Sequence, residues 1–373
     1  MENVGMEERA ERAVLVAIDT GDYDVDSSLA ELAELTRTAG GEVVGEMTQR
    51  RESPDKATAI GSGRLEELAG ICETNGVDLV IFDEELTATQ HRNLEDALPC
   101  RVIDRTALIL DIFAARARSA EGRLQVELAQ LQYRLPRLAG QGQALSRLGG
   151  GIGTRGPGET KLESDRRHIR RRIASLKEQL EAVERQRQNR RQRRQKDGLR
   201  SVALVGYTNA GKSTLMNALT DAGVLAEDKL FATLDPTARA LKLPDGRQVL
   251  LLDTVGFVRR LPHQLVQAFR STLEEATAAD VLINVCDVSD PEVAQQREVT
   301  VELLRQLGCA DQPVITAYNK CDRAPVSDDL PEGIAISAVT GMGLDALLSA
   351  VARALPPDRR RVTLLLPFQE GGR

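Results

Sequence analysis

The sequence predicts an α/β protein in which two parallel-sheet domains are separated by a long helical hairpin. Short apolar runs alternate with amphipathic stretches over residues 13–104 and again over 200–357, which is typical of parallel strands connected by helices. Between these regions, residues 105–197 contain no strand-like run and instead repeat aliphatic residues at steps of three and four. We therefore expect an N-terminal α/β domain (1–104), a helical hairpin (105–197) and a second α/β domain (198–357).

The N-terminal domain is predicted to contain four strands and three connecting helices. The predicted strands are 13–18, 42–47, 78–82 and 101–103, and the predicted helices are 27–40, 63–76 and 87–98. One stretch, IGSGRLEEL (60–68), has the glycines of a phosphate-binding turn but no lysine after the second glycine. We interpret it as a turn into a helix without chemistry of its own.

The hairpin is predicted from two aliphatic seams. These consist of Leu124, Leu128, Leu131, Leu135 and Leu138, and of Leu162, Ile169, Ile173, Leu176, Leu180 and Val183. The segment LGGGIGTRGPGE (148–159) between them is too rich in glycine and proline for a helix. We expect two antiparallel helices joined by this glycine-rich tip, which either approaches RNA backbone closely or is a flexible connection.

The charge of the chain is unevenly distributed. Although the net charge of the 373 residues is −7, residues 164–196 contain 13 Lys/Arg and only 4 Asp/Glu. Cations with almost no interleaved aromatic side chains suit phosphate contacts better than base stacking, and a solvated helix face is the alternative. The chain also lacks a secretory signal pattern, a membrane-span pattern and any CxxC pair. We expect a cytoplasmic, monomeric protein without disulfides or zinc.

A phosphate-binding loop is predicted at GYTNAGKS (206–213), which fits GxxxxGK[ST] between a strand and a helix. Its backbone N–H groups would cradle phosphates at a helix N-terminus. Lys212 would reach the β- and γ-phosphates, and Ser213 would ligate Mg²⁺. The predicted contacts from this loop are Gly206, Tyr207, Thr208, Asn209, Ala210, Gly211, Lys212 and Ser213.

Three further motifs follow in order, each at a predicted strand end. In DTVG (253–256), Asp253 would hold Mg²⁺ through water and the Gly256 N–H would contact the γ-phosphate. In NKCD (319–322), the Asp322 carboxylate would accept from guanine N1 and N2, donors that adenine lacks, which favours GTP over ATP. In SAVTG (337–341), the Ala338 N–H would complete the base pocket. The remaining predicted contacts are Thr254, Val255, Asn319, Lys320, Cys321, Ser337 and Val339. Ligands bind at the carboxyl ends of such strands, so the four motifs together predict a Ras-like P-loop GTPase domain.

FATLDPT (231–237) lies where a switch loop is expected. A threonine in this loop would complete the Mg²⁺ shell when the γ-phosphate is present. We choose Thr233, with Thr237 as the rival, and both could instead be ordinary loop threonines. The predicted GTP contacts here are Phe231, Ala232, Thr233, Leu234 and Asp235. Lys212, Thr233 and Gly256 form the predicted catalytic set, and Ser213 and Thr233 the predicted metal ligands.

The residue after the DTVG glycine is unusual for a GTPase. Ras-like enzymes place a glutamine there to orient the attacking water. Here it is Phe257, which cannot hydrogen-bond a water. We therefore expect the free protein to hydrolyse GTP slowly.

The sequence resembles the HflX family of translation-associated GTPases. The resemblance covers nearly the whole chain and rests on GYTNAGKS, FATLDPT and DTVGFV, and upstream on IGSGRLEEL, DRTALILDIFAARARSAEGRLQVELAQLQY (104–133) and GGGIGTRGPGETKLE (149–163). It implies Mg²⁺-dependent GTPase activity, GTP-dependent binding to the large ribosomal subunit and its rRNA through the tip 148–159, and dissociation of stalled or idle ribosomes.

Two points of this resemblance concern single regions. Family members commonly carry a small C-terminal domain, and residues 358–373 resemble only its start, so we expect it to be truncated or absent. Other GTPases that lack the glutamine use an asparagine in the phosphate loop to help hold K⁺, which implies K⁺ at Asn209 as an optional cofactor.

Two other functions fit the same residues. A GTPase that acts in large-subunit assembly would use the same surfaces but bind precursor particles. An RNA-binding module that keeps GTP only as a structural ligand would show no turnover above background.

Overall fold

The computed structural model of the chain describes residues 9–138, 157–196, 198–220, 230–231, 237–260, 277–309 and 312–356; in the helix over 157–196, the side chains described are those of 163–189. The predicted tail 358–373 and most of the predicted tip loop lie outside these residues.

The N-terminal half forms the predicted parallel sheet, with strand order β2-β1-β3-β4. Its elements are β1 (Arg12–Asp19), α1 (Val25–Thr38), β2 (Glu42–Arg50), α2 (Ser62–Asn75), β3 (Leu79–Phe82), α3 (Ala88–Ala97) and β4 (Arg101–Asp104). The apolar run of β1 is buried on both faces, since Leu15 and Ala17 enter one core cluster and Val16 and Ile18 enter another. Burial of both faces explains why this strand reads as a continuous apolar run.

Helix α4 (Arg105–Arg116) follows β4 directly and packs on the same sheet. Ile109, Ile112 and Phe113 are buried in the core cluster that also contains residues of β1 and α1. The predicted domain boundary after residue 104 therefore separates α4 from the sheet whose core it shares. The sequence could not show this, because the apolar face of a helix does not reveal which surface it covers.

The predicted hairpin consists of α5 (Ala120–Arg137) and α6 (Pro157–Lys196). Two ion pairs, Arg172 with Glu127 and Arg187 with Glu121, show that the helices run antiparallel, because the partner number falls as the arginine number rises. Leu128 and Leu176 of the two predicted seams are buried.

The start of α6 corrects one detail of the prediction. The helix begins at Pro157, so residues 157–159 of the predicted tip are helical. Proline is favoured in the first turn of a helix, where its missing N–H costs nothing. The rest of the tip, 148–156, lies outside the described residues.

The second domain is a six-stranded sheet with the order β10-β9-β8-β5-β7-β6. Its elements are β5 (Arg200–Gly206), α7 (Lys212–Thr220), β6 (Thr237–Lys242), β7 (Gln248–Asp253), β8 (Val281–Asp287), α8 (Val293–Gln306), β9 (Val314–Asn319), β10 (Ile334–Ala335) and α9 (Leu344–Ala354). The sequence did not predict β6, the antiparallel edge strand, because most of its residues are exposed and no apolar run marks it.

The two halves share an apolar cluster. Phe231 and Val258 of the second half lie in the same cluster as Leu29 of α1 and Phe113 of α4. The rings of Phe113 and Phe231 meet edge to face with centroids 4.7 Å apart, a favourable aromatic geometry. Phe231, at the start of the predicted switch loop, and Val258, just after DTVG, therefore pack against the N-terminal domain.

Candidate functional site

The phosphate loop connects β5 to α7, and its two end glycines fit where no side chain could. Gly206 has φ +140°, and a Cβ there would lie 2.3 Å from the Val285 carbonyl oxygen. Gly211 has φ +91°, and its Cβ would lie 2.3 Å from Asn319 Nδ2. Both positions therefore need glycine for backbone conformation and for space. The loop is held close to the neighbouring strands β8 and β9.

Lys212 begins α7 and its side chain folds back over the loop. Its Nζ donates to the carbonyl oxygens of Gly206 at 3.1 Å and Tyr207 at 2.7 Å. Burial lowers the pKa of Lys212 to about 8, while the charge of Asp253 opposes this shift. A buried ammonium gains stability from a nearby anion, so this position suits a phosphate group.

Ser213 and Asp253 provide oxygen ligands of the type Mg²⁺ prefers. The Ser213 hydroxyl donates to Asp253 Oδ2 at 2.7 Å, and Asp253 is fully buried at the end of β7. The next residue, Thr254, donates from its hydroxyl to the Leu204 carbonyl oxygen at 2.6 Å, which fixes the end of β7 beside β5. A hydroxyl in the first turn of α7 and a carboxylate at the end of β7 fit a Mg²⁺ ion that also binds phosphate oxygens.

The predicted base-binding residues form one hydrogen-bonded unit. Asn319 Nδ2 donates to the Ala210 carbonyl oxygen at 2.9 Å, and Asn319 Oδ1 accepts from the Ala338 N–H at 2.9 Å. The Ser337 hydroxyl donates to Asp322 Oδ1 at 2.6 Å and thereby lowers the pKa of this carboxyl group. Asp322 therefore stays ionised and oriented, as an acceptor for two guanine N–H donors requires.

Gly256 lies directly against the phosphate loop. A Cβ on Gly256 would be 2.7 Å from Thr208 Cγ2 and 3.0 Å from Lys212 Nζ. Thus the segment after Asp253 reaches the end of the loop where Lys212 lies. The position is suitable for a backbone N–H that contacts the γ-phosphate.

The structure explains what Phe257 does in place of glutamine. Its backbone N–H donates to the Gly206 carbonyl oxygen at 3.1 Å, and its carbonyl oxygen accepts from the Thr208 N–H at 2.7 Å. Its side chain is 1% exposed, in the apolar cluster that contains Tyr207 and Leu304. Phe257 therefore anchors the segment after DTVG by packing.

Most of the described predicted site residues lie at the carboxyl ends of β5, β7 and β9, but the side chains of three of them point elsewhere. Phe231 and Val255 point into the apolar cluster shared with the N-terminal domain. Val339 is 77% exposed. Ala232, Thr233, Leu234 and Asp235 lie outside the described residues. The rival Thr237 begins β6 and pairs with Asp253.

Sequence reasoning missed the side chains that reach this site from the N-terminal domain. The Tyr207 hydroxyl donates to Glu31 of α1, and Arg260 binds Asp83 with 2.7 Å between Nη1 and Oδ2. A single glutamate on an amphipathic helix carries no motif, and Glu31 and Tyr207 are 176 residues apart, so no local pattern could have identified them.

A cleft of about 250 Å³ lies between α1 and the phosphate loop. Asn209, with its left-handed backbone at φ +59°, lines this cleft together with the carboxylates of Glu34 and Asp290. The described helices include none that is long and apolar enough to span a membrane. The same residues show no group of three or more His, Cys, Asp or Glu side chains arranged to hold a metal.

Family models match most of the chain. Residues 26–114 match the model for the GTP-binding GTPase N-terminal region, residues 116–194 the GTP-binding GTPase middle region, and residues 201–320 the model described as 50S ribosome-binding GTPase.

Curated relatives match over nearly the full length. The GTPase HflX of Caldanaerobacter subterraneus subsp. tengcongensis is 56% identical, over 98% of this chain and 86% of the relative. The GTPase HflX of Escherichia coli K12 is 45% identical, over 97% of this chain and 87% of the relative. Among solved structures, the complex of SsGBP with GDP has a TM-score of 0.51 at 26% identity and covers 92% of this chain and 98% of that chain.

Proposed function

The chain belongs to the HflX family of GTPases, and we propose that its GTP-bound form binds the large ribosomal subunit and separates stalled or idle ribosomes into subunits. Hydrolysis of GTP to GDP and phosphate is the activity of the family and of the domain matched at 201–320. The ribosomal partner is a proposal, and it would place the protein in the cytoplasm.

The observation that carries this proposal is the exposed cationic surface of α6. Arg167, Arg170 and Arg171 are exposed on this helix, whereas Arg172 and Arg187 form ion pairs with α5. A rod held in place by ion pairs on one side, with arginines on the other, suits the phosphates of rRNA. The family model described as 50S ribosome-binding GTPase, which matches residues 201–320, supports the same partner.

The proposed chemistry is in-line attack of water on the γ-phosphate. Lys212 would neutralise the charge that develops on the phosphate oxygens, and the Gly256 N–H would bind the γ-phosphate. Mg²⁺, a cofactor that GTPases generally use, would be held by Ser213 and, through water, by Asp253, and would supply further positive charge beside the phosphates. Thr233 is our proposed second metal ligand from the switch loop.

The side chain of Phe257 is buried and cannot orient the attacking water, so another group must do so. We propose that the large subunit orders the loop around Thr233 and thereby places the water. K⁺ held with the help of Asn209 would add charge stabilisation, and the acidic cleft beside Asn209 is compatible with a cation.

Sedimentation of mature ribosomes with the protein and GTP tests the function. We expect ribosomes to separate into subunits with GTP or a non-hydrolysable analogue, and the protein to remain with the large subunit. Association only with precursor particles would favour a role in assembly. Binding without turnover would favour an RNA-binding module with a structural nucleotide.

The role of α6 can be tested separately by salt dependence. The logarithm of the binding constant for RNA falls linearly with the logarithm of the salt concentration. Each phosphate contact adds about −0.7 to −0.9 to this slope. Replacing Arg167, Arg170 and Arg171 with Gln should flatten the slope for large-subunit binding, whereas replacing the exposed Arg37 and Arg305 should not. An unchanged slope in the triple variant would identify α6 as a solvated face.

A further inference from the structure

We propose that Glu31, from the N-terminal domain, is a positioning residue of the GTPase site: it acts through the Tyr207 hydroxyl to hold the segment after DTVG against the phosphate loop. The inference concerns GTP binding and hydrolysis by the free protein. It does not depend on the ribosomal function proposed above.

Tyr207 connects three parts of the site. Its carbonyl oxygen accepts from Lys212 Nζ at 2.7 Å, and its hydroxyl accepts from the Arg259 N–H at 2.8 Å. The same hydroxyl donates to Glu31. Tyr207 therefore contacts the catalytic lysine through its backbone, and the segment after DTVG and the N-terminal domain through its phenol.

Glu31 is itself held rigidly. Its side chain is 11% exposed, and its other carboxylate oxygen forms an ion pair with Arg105, which is 3% exposed and also binds Asp83 at 2.5 Å. The carboxylates of Glu31 and Asp83 outweigh the effect of burial and raise the pKa of Arg105. A carboxylate fixed in this way can fix the phenol that donates to it.

Among the described residues, three hydrogen bonds join residues 257–260 to the phosphate loop. Two are backbone bonds of Phe257, to Gly206 and Thr208, which involve no side-chain atom. The third, from the Arg259 N–H to the Tyr207 hydroxyl, requires this side chain. It is one contact through which the N-terminal domain can affect the segment, in addition to the ion pair of Arg260 with Asp83 and the packing of Val258.

This contact should influence nucleotide preference. The γ-phosphate requires Gly256 beside Lys212, which is the position that the three hydrogen bonds favour. GTP binding and docking of the segment therefore support each other, because docking strengthens GTP binding by the same factor by which GTP strengthens docking. Loss of the third bond weakens GTP binding to the extent that it undocks the segment. GDP lacks the γ-phosphate and should be little affected.

The test uses three variants of the 373-residue chain: Tyr207→Phe, Glu31→Gln and the double variant. For each variant, the affinities for a non-hydrolysable GTP analogue and for GDP are measured, together with kcat. Tyr207→Phe should lower the preference for the GTP analogue over GDP by about tenfold and reduce kcat. Glu31→Gln should act in the same direction and less strongly, because glutamine still offers an oxygen to the phenol. Tyr133→Phe, which removes a buried phenol hydroxyl within the N-terminal half, is the control.

The double variant decides whether Glu31 acts through Tyr207. In that case, Glu31→Gln should have no further effect on nucleotide preference in the Tyr207→Phe background. Thermal unfolding checks that each variant is folded. If Tyr207→Phe does not fold, the preference of Glu31→Gln for the GTP analogue over GDP decides whether the proposal holds. An unchanged preference in the folded single variants, or effects that add in the double variant, would overturn the proposal.

Discussion

The two parallel sheets of this molecule differ in how the carboxyl ends of their strands are used. In the N-terminal sheet, Asp83 follows β3 and Asp104 ends β4, and both form ion pairs within the chain: Asp83 binds Arg105 and Arg260, and Asp104 binds Arg137 at 3.0 Å. In the GTPase sheet, the corresponding edge carries a glycine loop and a lysine whose hydrogen bonds go to carbonyl oxygens.

The difference shows that location at the carboxyl edge of a parallel sheet does not by itself produce a ligand site. At the N-terminal edge, Asp83 and Asp104 are paired with arginines, so these charges stabilise the chain and the joint between domains. At the GTPase edge, Lys212 is a buried cation whose pKa is lowered to about 8 by burial, and it gains most from an added anion. The same architecture thus yields a structural joint in one domain and a nucleotide site in the other.

The largest effect should come from removing the cation of the GTPase edge. Lys212→Ala should lower GTP turnover by about 10²–10³ or more, because it removes a preorganised charge at the developing phosphate oxygens. Phosphate release measures it, with Lys242→Ala on the exposed edge strand as the control. Near-normal turnover in Lys212→Ala would mean that this edge is not where the chemistry occurs.

At the N-terminal edge, the equivalent change should affect stability. Arg105→Met leaves Asp83 and Glu31 without their shared buried partner and should reduce the free energy of unfolding by about 3–5 kcal/mol. Urea denaturation measures this, and Arg305→Met, at an exposed arginine, should cost far less. A loss below about 1 kcal/mol, the usual value of a surface pair, would show that the edge is not held by this ion pair.

Base choice is the next effect in size. Asp322→Asn removes the ionised acceptor that Ser337 orients, and should shift preference from guanine toward xanthine nucleotides by about 100-fold, since two hydrogen bonds to a charged group are lost. Competition against labelled GDP measures the shift, and Asp329→Asn serves as the control. ATP and GTP that displace GDP equally well from the wild-type protein would contradict the assignment of this pocket to guanine.

The smallest effect is expected at Phe257. Because its side chain packs against Tyr207 and Leu304, Phe257→Gln should not raise turnover of the free protein, and the buried amide should cost about 1–3 kcal/mol of stability. Phe257→Leu, which keeps an apolar side chain, should change turnover little. A marked gain of activity in Phe257→Gln would show that the position faces the attacking water after all.

The sequence was sufficient to predict where most of the candidate nucleotide-site residues lie, because their motifs are local. Gly206 to Ser213 form one turn, and the positions of Asp253 and Asn319 follow from their place at strand ends in a parallel sheet. By contrast, the contact between Glu31 and Tyr207 depends on how two domains pack, which no short pattern encodes. The edge strand β6 was missed for a related reason: its exposed residues lack the apolar run that marks the central strands.

The central claim is that this GTPase hydrolyses slowly by itself because its water is placed by the large ribosomal subunit. GTP turnover measured with and without purified large subunits, in matched K⁺ and Na⁺ buffers, tests it most directly. We predict slow turnover of the free protein and stimulation by the large subunit of about tenfold or more, with a further gain in K⁺ if Asn209 helps to hold that ion. Fast turnover by the free protein that large subunits do not change would contradict this account.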